Sequence, residues 1–170
     1  LFNERAMLRA NAAGPLQVLG ADGTLRAFGD GSFALGAPTD RVSFAASGDR
    51  LWTLQFLTNR LTRWDIRSER ALVTYERRVE WFDQVDRSDP NSIPFVYLTA
   101  EDSVGLWVAG AGPDARGPRE LPSGPITPDV RRQTRDGWLE LVDTANGRTI
   151  ARARFDEPFH SRVLGSDLLV

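Results

Sequence analysis

The residues of this sequence that could do chemistry are Trp81, Phe82, Asp83, Asp86, Asp89, Arg131 and Arg132, in its irregular connections, and His160, at the start of a strand-like run. Each has two readings. Trp81 and Phe82 are either an exposed aromatic anchor or the side chains that pin their own loop to the body of the protein. Asp83, Asp86 and Asp89 supply oxygen ligands of the kind calcium takes, but a spacing of three residues fits no calcium loop and reads as solvated loop charges. His160, the single histidine, has a general base's chemistry but no matched acid beside it in sequence. Arg131 and Arg132, with Arg135 close by, either meet an anion or sit in solvent. Ser47-Gly48 and Ser123-Gly124 read as turns; no nucleophile elbow or phosphate loop is present.

Composition narrows the classes. With 170 residues and 41% hydrophobic content, the chain suits one globular domain or part of a larger one. Net charge is −2 with both signs mixed along the chain, so nothing marks a nucleic-acid partner. All 21 basic residues are arginine. The absence of cysteine excludes disulfides, thiolate metal sites and a cysteine nucleophile. No apolar run reaches the roughly 20 residues of a membrane-spanning helix. The sequence opens on Leu1 and closes on the strand-like Asp167-Leu168-Leu169-Val170, so we expect a piece of a longer protein.

The elements that must position these residues read as strands. Val42–Tyr75 holds four short apolar runs, Val42–Ala46, Leu51–Phe56, Leu61–Ile66 and Ala71–Tyr75, separated by tight polar turns. Four antiparallel strands in about 35 residues is the size of one β-propeller blade. Upstream, Leu16–Leu19 and Thr24–Phe28 flank Asp22-Gly23, a hairpin signal; Leu1–Ala13 has helix-favouring residues but is short and broken at Gly14-Pro15, and reads as the remains of an earlier strand. Downstream, Phe95–Thr99, Val104–Ala109, Trp138–Val142 and Thr149–Phe155 repeat the theme, and Phe159–Leu164 with Leu168–Val170 begins a further unit. Two long irregular connections interrupt them: 77–94, and 111–136 with its run of prolines and glycines.

The repetition is visible in the residues. Trp64-Asp65-Ile66-Arg67-Ser68-Glu69-Arg70-Ala71-Leu72 aligns with Val142-Asp143-Thr144-Ala145-Asn146-Gly147-Arg148-Thr149-Ile150. In both, an apolar residue precedes Asp and an Arg follows five positions later. The carboxylate is expected to accept turn N–H groups and to pair with that Arg. Ser47-Gly48-Asp49-Arg50-Leu51-Trp52 likewise aligns with Asp102-Ser103-Val104-Gly105-Leu106-Trp107. The strands are apolar on both faces, as in Leu51-Trp52-Thr53-Leu54-Gln55-Phe56. A blade held between two neighbours needs that, whereas a sandwich strand alternates more cleanly. We therefore expect an all-β partial propeller of three to four blades built from four-stranded antiparallel sheets, with Trp52, Trp107 and Trp138 in the cores between blades.

These motifs, together with Glu80-Trp81-Phe82 and Arg154-Phe155-Asp156-Glu157, resemble bacterial six-bladed β-propellers related to the NHL-repeat proteins, over roughly Leu16 to Val170. The resemblance implies the C-terminal half of such a ring and an exported or periplasmic location. It carries fold rather than chemistry. Some related propellers are lactonases, esterases or lyases with a metal on the central axis, and this chain has no matching set of His and acids.

Propeller topology adds one deduction. Strands of a blade alternate in direction, so the connection from second to third strand leaves on the same face as the connection between blades. That places 77–94 and 111–136 together. The expected function is a non-catalytic binding or interaction module, without cofactor, that uses this face for an unknown protein or small molecule. The alternative is a propeller hydrolase whose axial metal is completed by blades outside these residues.

Overall fold

The computed structural model describes residues 8–10, 16–20, 22–29, 42–47, 49–55, 58–79, 95–114, 134–158, 162–164 and 167–169. Its elements are strands in four antiparallel sheets: β1 (Leu8–Ala10), β2 (Leu16–Leu19) and β3 (Leu25–Ala27); β4 (Val42–Ser47), β5 (Arg50–Gln55), β6 (Arg60–Asp65) and β7 (Arg70–Glu76); β8 (Phe95–Glu101), β9 (Leu106–Pro113), β10 (Arg135–Val142) and β11 (Thr149–Phe155); and β12 (Arg162–Leu164) with β13 (Asp167–Leu169). Each sheet is a meander in chain order. The strands expected from Leu16 onward are present within a few residues of their expected limits among the described residues, and β1 lies inside the expected Leu1–Ala13 segment.

The sheets stack as blades. First strands neighbour one another, β4 against β8 and β8 against β12, as they do around a propeller axis. The second sheet is covered on both faces. On one, Trp64 meets Phe28 edge-on with centroids 5.5 Å apart. On the other, Trp52, Leu54 and Leu61 form a buried cluster with Leu106, Val108 and Val142 of the third sheet. Strand β5 is therefore buried from Leu51 to Gln55 without alternation. A sheet with two dry faces is a blade between neighbours, not a leaf of a two-layer sandwich. Each side chain buried as fully as Trp52 or Leu54 contributes roughly 2–3 kcal/mol by apolar transfer. The fourth strands, β7 and β11, are largely exposed, as the outermost strands of blades must be.

The repeat is three-dimensional. Asp65 accepts from Ser68 N at 2.6 Å and Ser68 Oγ at 2.8 Å. Asp143 accepts from Ala145 N at 2.8 Å and Asn146 Nδ2 at 2.6 Å. Both turns end on a left-handed residue at the aligned position, Glu69 at φ 55° and Gly147 at φ 74°. Both are followed by a bulge that skips the aligned Leu72 and Ile150, and both of those side chains are exposed. The expected pairing of each turn carboxylate with the following Arg does not form. Arg70 stands opposite Asp65 in register, but Asp65 Oδ1 takes two donors from Ser68 instead, which cost less chain entropy to order than a long exposed side chain.

Two further expectations are corrected or refined. The insertion 111–136 is shorter at both ends, because β9 runs to Pro113 and pairs it with Arg135 of β10; Gly112 and Pro113 sit at the strand's end, where the ladder tolerates them. Of the three tryptophans, Trp52 is fully buried and Trp138 packs half-buried against the same cluster. Trp107 is half-exposed and donates its Nε1–H to Asp102 at 2.9 Å.

Candidate binding face

The two long connections leave from roots whose geometry is set by the strands. Arg77 follows β7, and its N–H donates to Asn59 O at 3.3 Å, while Asn59 Nδ2 donates to Arg77 O at 3.4 Å. Asn59 belongs to the β5–β6 turn and is left-handed at φ 49°, a conformation Asn tolerates better than most residues. The end of the second sheet's last strand is thus tied to the turn between its second and third strands. The third sheet does the same with charge. Arg154, near the end of β11, donates its Nε–H to Asp136 at 2.8 Å and lies 3.4 Å from Asp114. Asp114 N and Thr134 O close the root of the insertion at 2.9 Å. In each sheet, the second-to-third connection and the exit to the next blade leave at the same end.

The sequence-derived candidates Trp81, Phe82, Asp83, Asp86, Asp89, Arg131, Arg132 and His160 all lie outside the described residues, as does most of both connections. Among the described residues, no cluster of three or more His, Cys, Asp or Glu side chains could hold a metal ion, and no helix is long and apolar enough to cross a membrane.

Sequence reasoning passed over a buried ionic cluster at the root of 77–94. Arg77, from the loop, and Glu140, from β10, are both almost wholly buried and meet at 2.6 Å. Glu140 Oε1 accepts from Arg152 Nε at 2.8 Å, and Arg77 Nη2 also reaches Thr149 Oγ1 at 3.2 Å. Glu140 shares a strand face with Trp138 and Val142, two core residues. A carboxylate in the middle of an apolar face was the available signal, since such a group must find a cation. Its partner, 63 residues away, was not readable.

Turn carboxylates show directional pKa shifts. Hydrogen bonds from Trp107 first, then from Val104 and Gly105 N–H, hold Asp102 below the ordinary 3.8. Asp65 is lowered by Ser68, and Asp22 by Thr24, in the same way. These are structural carboxylates rather than poised acids.

The fold and these roots define an all-β protein of propeller-blade architecture. The chain matches no protein-family model, no curated protein and no solved structure.

Proposed function

We propose that this protein is a non-catalytic binding module in which connections 77–94 and 111–136 emerge on one face of a blade scaffold and together contact a ligand. The observation that carries the reading is the paired anchoring of the loop roots. Asn59 holds Arg77 in the second blade, and Arg154 holds Asp114 and Asp136 in the third. Because consecutive blades repeat the same strand order, the exit of the second blade and the insertion of the third come to the same side. Trp81 and Phe82 would supply aromatic contact and Arg131 and Arg132 charge. A six-bladed, NHL-related bacterial ring and an exported location, both implied by the sequence resemblance, belong to the same proposal.

The test replaces residues 115–133 by a short Gly-Ser linker between Asp114 and Thr134, and separately makes Trp81→Ala. Small-molecule and peptide libraries are then screened against all three chains by NMR. The expected result is ligands that bind the native chain, lose binding in both variants and leave the melting temperature unchanged. The reading fails if every ligand found binds all three chains equally. A stoichiometric metal in the purified protein would instead favour the hydrolase alternative.

A further inference from the structure

The outer strands of successive blades, β7 and β11, enclose a groove of about 460 Å³. Tyr75, Arg77, Arg78, Arg148, Thr149 and Arg152 line it. Four arginines border it, Arg77 with its side chain almost wholly buried, against two carboxylates nearby: Glu76, turned away to Arg60 at 3.0 Å, and Glu140 behind the wall. The balance is positive by two charges. The clamp leaves much of this donor capacity unspent. Among the described residues, Arg77 uses only Nη2, and its buried Nε and Nη1 have no hydrogen-bond partner. Arg152 engages Glu140 through Nε alone. Among the described residues, the guanidinium groups of Arg78 and Arg148 make no hydrogen bond or ion pair. Thr149 Oγ1 accepts from Arg77 and keeps its own O–H to donate.

The donors that reach the groove are those of the exposed Arg78, Arg148 and Arg152, and convergent guanidinium groups suit an oxyanion. The two oxygens of one carboxylate cannot use three further guanidinium forks, whereas a phosphate monoester offers three strong acceptor oxygens and a charge near −2. The volume exceeds that of a bare ion and falls within the roughly 300–1,000 Å³ of small-molecule sites. We propose that this inter-blade groove binds the phosphate group of a small molecule, with Arg78, Arg148 and Arg152 as its direct ligands and Arg77 fixed behind them by Glu140. The site shares Arg77 and Arg78, at the root of connection 77–94, with the loop face, but it uses nothing of the 111–136 insertion.

The experiment titrates the native chain with inorganic phosphate, phenyl phosphate and benzoate by calorimetry, with sodium chloride at matched ionic strength as the blank. Saturable binding of both phosphates and a raised melting temperature are expected. Arg78→Gln with Arg148→Gln, two exposed positions outside the Arg77–Glu140 clamp, should weaken phenyl phosphate about 100-fold, each lost charge-assisted contact contributing about tenfold. The chain with 115–133 replaced should keep its phosphate affinity, which separates this site from the loop proposal. Absence of saturation overturns the proposal. So does a double variant, folded by circular dichroism, that binds within about twofold of native. Benzoate binding as tightly as phenyl phosphate overturns the phosphate assignment.

Discussion

The second and third sheets share a backbone and differ in what fills it. Thr62 stands opposite Thr74 in the second, and their hydroxyls meet at 3.1 Å. At the equivalent place in the third, Glu140 stands opposite Arg152. The left-handed turn position is Glu69 in one and Gly147 in the other. In both cases the cause lies in the preceding blade. Glu140 is charged because Arg77 reaches it from the second blade. Gly147 is glycine because the Tyr75 ring lies against it, its Cβ 2.6 Å from where a side chain would begin. Glu69 tolerates its strained backbone because its carboxylate binds Arg26 of β3 and accepts at 3.0 Å from the N–H of Gly29, just past that strand. Blade geometry is thus a property of the repeat, while polar identity is a property of the seam between repeats.

That contrast can be broken most severely at Glu140. Glu140→Ala strands the buried Arg77 without its carboxylate and should cost about 3–5 kcal/mol in urea unfolding. Thr62→Val, at the matching position, removes one neutral pair and should cost about 1 kcal/mol. If the two substitutions cost the same, the asymmetry between blades has no energetic content.

The turns give the next effect. Gly147→Ala meets the Tyr75 ring and a φ of 74°. Strain and overpacking together should destabilise by about 2–4 kcal/mol. Glu69→Gly relieves a left-handed backbone while losing the Arg26 bond, so the two terms offset and the thermal midpoint should change by less than the equivalent of about 1 kcal/mol. A large loss there would show that the exposed ion pair, not the backbone, governs the second turn.

The smallest effect is with pH. Asp22, Asp65 and Asp102 are lowered in the folded chain, so the stability they lend is present above the ordinary value of 3.8 and is lost as pH falls through their lower folded values. The thermal midpoint should be level above about pH 5 and decline only below about pH 4. Asp102→Asn should flatten part of that decline. A midpoint that instead falls between pH 5 and 7 would point to other groups.

Much of the scaffold was legible. Thr149–Phe155 and Leu16–Leu19 are strands with the limits their apolar runs give, and the segment before Ala13 contains β1. The alignment of 64–72 with 142–150 holds down to the left-handed residue and the bulge. The Gly110–Pro113 stretch misled because its glycines and proline resemble a loop, yet β10 gives them a ladder partner. Arg77 and Arg152 carried no local signal at all. Each reads as one more surface arginine, and only the partner strand makes the first buried and the second a wall of the groove.

What the sequence determined alone was periodic: short strands, the turns between them and their recurrence. These follow from interactions over two to six residues, where Asx turns, left-handed positions and two-sided hydrophobicity are written directly in the residue order. What only the tertiary structure decided was which face of each blade carries charge. A buried arginine and its carboxylate can be 63 residues apart, and the free energy that makes them a pair arises only when a second blade removes both from water.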